Sequence, residues 1–266
     1  MRLATVRPPG LEHAVAAQIV DGLAVPFPPN WTVERLLSVD AEDRPPPGKA
    51  AWPVADVQLL APIPTPGAIF GIGRNYAAHA AELGNDVPEA PTVFAKLSRS
   101  STAPGGPIRL PSIASFVDYE GELAVVMGEG GKVAGYAIAN DVSARDLQFE
   151  PSGGGQWTRG KGADTFCPWG PWITTEDEVP DPHELHLRTY VNDELRQEAM
   201  TSDLIFKIPR LIEHISQITA LQPGDLILTG TPEGVGWARE PRVGLASGDV
   251  VRVEIDLLGS IESRVA

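Results

Sequence analysis

Two glutamates one residue apart and an aspartate on the next strand-like run are the residues whose types and spacing most clearly suggest chemistry: Glu120, Glu122 and Asp141. In an extended strand, side chains at i and i+2 share a face, so Glu120 and Glu122 project together, ~7 Å apart along the chain. The run continues through Leu123, Ala124, Val125, Val126 and Met127, which predicts that its later part is buried. Neighbouring buried carboxylates repel one another unless a proton or a cation lies between them. Asp141 follows the run from Val133 to Asn140, and pairing of the two strands would bring it to the glutamates. Three carboxylate ligands, with the remaining positions left to water, describe a magnesium or manganese site. On spacing alone the commoner outcome is different: Glu120 and Glu122 on the solvated face of an edge strand.

Other chemistries find no complete motif. His183-Glu184-Leu185-His186 is one residue short of a helical H-E-x-x-H zinc site and falls in a strand-like stretch. Gly71 to Tyr76 lacks the third glycine of a dinucleotide fingerprint, and neither a Walker loop nor a G-x-S-x-G elbow occurs. Cys167, the single cysteine, excludes an internal disulfide and a multi-cysteine zinc site; with no histidine nearby in sequence, it is expected to be buried and inert. The 35 acidic and 21 basic residues give a net charge of −14, which repels phosphate backbones and argues against nucleic acid as a partner. No stretch approaches the ~18 uninterrupted apolar residues of a membrane span. The N-terminus also lacks an apolar signal region, so a cytoplasmic protein is expected.

The elements that must position these residues are mostly short strands. With 27 glycines and 26 prolines, the chain is rich in turns and poor in long helices. Residues 1–58 are expected to form a small N-terminal subdomain, with short helical patterns at residues 11–19 and 33–37 and a proline linker at residues 44–48. Residues 59–266 form the main body. Strand-like runs recur there at residues 57–64, 68–73, 92–96, 122–127, 133–139, 185–191, 226–229 and 250–255. Apolar spacing predicts a helix over residues 76–83, closed by Gly84, and another over residues 204–219, in which the awkward Pro209 marks either a kink or an early first turn. Strands without regular βαβ alternation indicate a mixed α+β architecture.

Several blocks together carry a specific resemblance. Gly71-Ile72-Gly73-Arg74-Asn75-Tyr76-Ala77-Ala78-His79 is followed in order by Tyr119-Glu120-Gly121-Glu122-Leu123 and Asn140-Asp141-Val142-Ser143-Ala144-Arg145-Asp146-Leu147-Gln148. Gly160-Lys161-Gly162 and Pro223-Gly224-Asp225 through Thr229-Gly230-Thr231-Pro232 complete the set. In this order, over residues 60 to 260, they resemble the fumarylacetoacetate hydrolase (FAH) family, in particular its short bacterial members similar to acylpyruvate hydrolases and 2-hydroxyhepta-2,4-diene-1,7-dioate isomerases. The resemblance implies an FAH-type mixed β-sandwich roll for residues 59–266, beside a small N-terminal α/β subdomain, assembled as a homodimer. It implies that Glu120, Glu122 and Asp141 bind Mg²⁺ or Mn²⁺, one ion per chain. Lys161 matches an active-site lysine, and His79 and Glu82 match a catalytic pair on a lid helix. Arg74, Tyr76, Arg145, Gln148 and Thr231 match substrate-binding positions.

The implied substrate is a small 2-oxo acid, which can chelate the ion through its carboxylate and keto oxygens. The ion would stabilise an enolate as Lewis acid, with Lys161 adding positive charge. His79 and Glu82 are i and i+3, about 300° apart around a helix, and share a face. Glu82 would set the imidazole tautomer, and His79 would activate water against a 4-oxo carbon: acylpyruvate-type hydrolysis of a carbon–carbon bond. Decarboxylation and enol–keto isomerisation need only the same enolate and remain open. A catalytically silent metal-binding scaffold or sensor is the alternative of another class. Ala163, where the family often has a bulkier residue, is expected to alter the cavity floor. Gly153, Gly154 and Gly155 suggest a mobile loop, and one of Trp157, Trp169 and Trp172 is expected to line an aromatic wall while the others pack in the core.

Overall fold

The structure is a computed structural model that describes residues 1–149 and 155–266. The chain opens with β1 (Arg2–Arg7), β2 (Val15–Val20) and β3 (Leu23–Pro26), then α1 (Val33–Leu37), β4 (Trp52–Pro53) and β5 (Gln58–Leu59). Next come β6 (Ile69–Gly73), α2 (Ala77–Glu82), β7 (Thr92–Lys96) and β8 (Ser101–Thr102). The acidic segment occupies β9 (Val117–Asp118), β10 (Gly121–Met127), β11 (Val133–Asn140) and β12 (Ser143–Ala144), followed by α3 (Arg145–Gln148) and α4 (Trp157–Lys161). The remainder adds β13 (Cys167–Thr175), β14 (His186–Val191), β15 (Glu194–Met200), α5 (Ile208–Ser216), β16 (Leu226–Leu228), β17 (Val250–Ile255) and β18 (Gly259–Arg264).

The main sheet has twelve strands, in the path β4-β3-β2-β1-β13-β11-β10-β16-β6-β7, with β5 on β1 and β8 on β13. A second sheet of four strands runs β15-β14-β17-β18. Alternation along β10 shows how the layers meet. Leu123, Val125 and Met127 pack with Leu187, Val253 and Ile255 of the second sheet and with Leu211 and Ile215 of α5. Ala124 and Val126 face the opposite way, into a cluster with Trp169, Leu228 and α1's Leu36 and Leu37. The result is an α+β sandwich in which the central strands are covered on both faces. β10 lies between β11 and β16, and Glu122 within it and Glu120 just before it are both buried, so the alternative of a solvated edge strand does not hold.

Two expectations need correction. Residues 11–19 are not helical: Val15–Val20 is a strand paired with β1 from Arg2↔Ile19 to Val6↔Val15. Short apolar runs do not distinguish helix from strand by periodicity, and sheet pairing decides here. The later helix begins at Ile208, so Pro209 sits in its first turn, where a missing N–H costs nothing. Through the pairing Arg2↔Thr174 and Leu3↔Ile173, the N-terminal strands continue the main sheet.

Candidate active site

Antiparallel pairing of β10 with β11 assembles the carboxylates. The register sets Glu122 opposite Ala139 and Gly121 opposite Asn140, and the Asp141 N–H donates to the Glu120 carbonyl at 2.8 Å. The Asn140 side chain accepts the Glu120 N–H at 3.0 Å, which fixes the backbone at the strand entrance. One oxygen from each of Glu120, Glu122 and Asp141 lies within 4.8 Å of the others, and all three residues are buried.

Cationic side chains surround them unevenly. Lys161 Nζ bridges Glu120 Oε2 and Asp141 Oδ2, each at 2.6 Å. Lys96 Nζ reaches the other Asp141 oxygen at 2.5 Å and the Val142 carbonyl at 3.3 Å. Arg145 pairs with Glu120 at 2.6 Å through Nη1 and with Asp118 at 2.9 Å through Nε. Asp118 in turn accepts the N–H groups of Tyr119, Gly236 and Trp237. Burial alone would raise the Glu120 carboxyl, but Arg145 and Lys161 outweigh it and hold this group far below the usual carboxylate range. Glu122 goes the other way. Burial, then repulsion from Asp141 and Glu120, pushes it well above its ordinary value, and Lys161 and the Gly230 N–H at 2.7 Å offset this only in part.

Four buried carboxylates therefore face three buried cationic groups, and the excess negative charge falls on Glu122. The donors are all hard oxygens, so the cluster fits Mg²⁺ or Mn²⁺ and gives no soft ligand for zinc or copper. A divalent ion would turn the one-charge deficit into a one-charge excess, which suits an anionic substrate.

A cavity of about 550 Å³ opens on this cluster, with Glu120, Glu122 and Lys161 in its wall. His79 also lines it. Helix α2 follows β6 directly, and buried Asn75 pins the connection: its side-chain amide donates to the Thr229 and Phe206 carbonyls and accepts the Phe206 N–H. After Leu83 the chain turns at Gly84, whose φ of +70° suits glycine. His79 Nδ1 meets Glu82 Oε1 at 2.7 Å, and Glu82 Oε2 accepts the Gly234 N–H at 2.9 Å. A carboxylate at Nδ1 places the proton there and leaves the Nε2 lone pair for the cavity.

Arg145, Gln148, Thr231 and Arg74 are also in the wall. Arg145 Nη1 donates to Gln148 Oε1 at 3.2 Å, while its Nη2 is buried with no protein partner among the described residues. Arg74 has a φ of +57°, and Nη2 makes one long contact to Thr92 Oγ1 at 3.3 Å. Thr231 Oγ1 accepts from Gln197 and donates to the Gly121 carbonyl. Tyr76, expected to touch substrate, is not in the wall: it is buried beside it, its hydroxyl without a partner among the described residues. Asp141 and Glu82 lie behind Lys161 and His79 respectively, outside the wall.

Among the tryptophans, Trp157 lines the cavity against Phe94, Trp169 is fully buried in the core, and Trp172 packs against the N-terminal strands. Ala163 is not in the wall; it packs, partly buried, against the cluster that holds Phe166 and Val142. Gly155 lines the cavity, whereas Gly153 and Gly154 lie outside the described residues. Cys167 is buried, and that burial pushes its thiol up to about 12.

Lys96 and Asp118 were missed by the sequence reading. A signal for Lys96 existed: Thr92, Phe94 and Lys96 share one face of β7, and the first two line the cavity. Asp118 gave none, because its partners come from residues 145 and 236–237.

Residues 68–266 match the family model described as fumarylacetoacetate (FAA) hydrolase, C-terminal. The chain is 46% identical to the mitochondrial oxaloacetate tautomerase fahd2 of Xenopus laevis over 221 residues, 79% of this chain and 69% of that protein. The solved 5-carboxymethyl-2-hydroxymuconate delta-isomerase of Mycobacterium smegmatis is 38% identical, with a TM-score of 0.82 across 100% of this chain and 99% of that one. Maleylpyruvate hydrolase of Sphingobium sp. SYK-6, solved in complex with manganese(II) and pyruvate, is 32% identical, with a TM-score of 0.78 across 100% and 99%.

Proposed function

Because the chain belongs to the fumarylacetoacetate hydrolase family, as its match over residues 68–266 shows, we propose that it is a divalent-metal-dependent enzyme that interconverts enol and keto forms of a small 2-oxo acid. The observation that carries this reading is a buried carboxylate triad with uncompensated negative charge and a carboxylate-paired histidine lining one cavity. The 46% identity to an oxaloacetate tautomerase and the 38% identity to an isomerase support proton transfer as the reaction.

Glu120, Glu122 and Asp141 would hold Mg²⁺ or Mn²⁺, which supplies Lewis-acid stabilisation of negative charge on the substrate oxygens. Lys161 adds a fixed positive charge beside that oxygen and needs no reorganisation, because both of its carboxylate partners already hold it. Arg145 lines the cavity and its Nη2 has no protein partner among the described residues, so it would be available to a substrate oxygen, with Gln148 and Thr231 alongside. Arg74 has no acidic partner among the described residues and suits a second carboxylate of the substrate. His79 Nε2 would carry the proton between the enol oxygen and the carbon next to the keto group, from oxygen to carbon as the enol decays and from carbon to oxygen in reverse, while Glu82 stabilises the imidazolium between the two transfers.

Acylpyruvate hydrolysis is the second reading, favoured by the likeness to maleylpyruvate hydrolase. There the same His79 would direct water at a 4-oxo carbon. A homodimer, from the family resemblance, and a cytoplasmic location and a boundary near residue 58 between a small N-terminal subdomain and the catalytic domain, from the sequence pattern, are further proposals.

The test is ultraviolet monitoring of oxaloacetate enol and of an acylpyruvate, with Mg²⁺ and with chelator, and with products identified. Chelator-sensitive acceleration of enol decay, lost in His79→Ala, is expected. Chelator-sensitive release of pyruvate and a free acid would move the assignment to hydrolysis. No acceleration of either by metal-loaded protein would overturn both.

A further inference from the structure

A line of hydrogen bonds runs from the carboxylate strand to the back of the His79–Glu82 pair. Tyr119 stands between Asp118 and Glu120 and is 2% exposed. Its hydroxyl donates to the Gly234 carbonyl at 2.9 Å. The N–H of the same glycine donates to Glu82 Oε2 at 2.9 Å, and Glu82 Oε1 faces His79 Nδ1 at 2.7 Å. Gly234 has a φ of +102°, and a Cβ there would meet the Arg196 carbonyl oxygen at 2.0 Å, so no other residue fits. Glycine is also the residue with the most backbone freedom. Its N–H and carbonyl lie in adjacent peptide planes joined at this one residue, so holding the carbonyl restrains the turn that aims the N–H, and Tyr119 holds it. Asp118 holds the loop two and three residues later, through Gly236 and Trp237.

We infer that Tyr119 is a positioning residue for the His79–Glu82 pair, acting through Gly234. By fixing Gly234 it keeps one Glu82 oxygen occupied and the other turned to Nδ1, which selects the tautomer with a free Nε2 lone pair. One strand entrance thereby sets both halves of the site: Glu120 at the carboxylate cluster and, one residue earlier, the support of the proton carrier. This inference rests on the reading of His79 as that carrier.

The test uses Tyr119→Phe, which removes only the hydroxyl, alongside Glu82→Gln, the double variant and His79→Ala. Imidazole ¹⁵N shifts report the His79 tautomer without any substrate, and five histidines keep the assignment tractable. Tyr119→Phe is expected to lower the Nδ1–H fraction. It should reduce kcat roughly three- to tenfold, the effect of one lost hydrogen bond. KM and Mn²⁺ affinity should stay within about twofold. In the Glu82→Gln background the same change should alter kcat by less than about twofold, because the group it supports is already gone. Additive losses, or a Tyr119→Phe protein that melts earlier yet keeps its tautomer and kcat, would overturn the inference and leave a purely structural role. If His79→Ala retains full activity, the reading of His79 fails and the inference fails with it. If His79→Ala is inactive while Tyr119→Phe matches wild type in both tautomer and kcat, the inference alone fails.

Discussion

Glu122 is the residue on which the charge balance of the site turns. It is buried, repelled by two neighbouring carboxylates and held above its ordinary value, with no cationic side chain of its own. Glu122→Gln keeps the shape and the acceptor for the Gly230 N–H while removing the repulsion. In chelator, the variant should melt roughly 2–4 °C above wild type, the shift that about 1 kcal/mol gives in a chain of this size. Added Mn²⁺ should then stabilise wild type by mass action and leave the variant unmoved. A lower melting temperature in chelator, with Mn²⁺ stabilisation intact, would remove Glu122 from the cation site. The triad was readable through the family resemblance: an i, i+2 pair shares a strand face and Asp141 ends the run that follows, but spacing alone favoured a solvated edge strand. Lys96 went unassigned although it shares a strand face with Thr92 and Phe94, since a lysine ending a strand ordinarily reaches water. Its burial arises only when β7 packs against the loop after β11.

Among the elements, β10 and α5 were legible for different reasons. The strand declared itself by an unbroken apolar run that only burial on both faces explains, and its pairing with β11 is what brings Asp141 to Glu120. The helix declared itself by apolar spacing, but its start did not, because the group that finishes its first turn comes from elsewhere. His183 Nε2 accepts the Ile208 N–H at 3.2 Å. Burial, then the nearby Lys207 charge, lowers the His183 imidazole below its ordinary value. A base that is depressed in the folded state binds protons more readily when unfolded. Its contribution is therefore present above about pH 6.5 and is lost as pH falls through the folded value. Denaturant titrations should show His183→Ala less stable than wild type by about 0.5 kcal/mol at pH 8, with the gap closing by pH 5. A gap that widens in acid would contradict this role. The misread N-terminal segment, by contrast, is a strand only because β1 pairs with it, and residues 11–19 carry no local sign of that partner.

Taken whole, the molecule is a sandwich whose central strands are insulated on both sides, and the site sits where β10 and β11 enter that core. Such burial makes charge expensive unless it is paired, and the fold meets the requirement with three cationic side chains from β7, α3 and α4. The architecture was legible from strand-like runs without βαβ alternation. The excess of one carboxylate was not, because it is a property of the assembled cluster. Fold and family establish an enzyme of this class, and the central claim is that a divalent ion at the triad drives enolate chemistry there. The most direct test is the rate of oxaloacetate enol decay above the protein-free rate, followed as Mn²⁺ is added to chelator-stripped wild type and to Glu120→Ala. Wild type should rise from near zero to saturation while Glu120→Ala stays flat. Full turnover by the stripped wild type, or equal saturation of the two proteins, would contradict the claim.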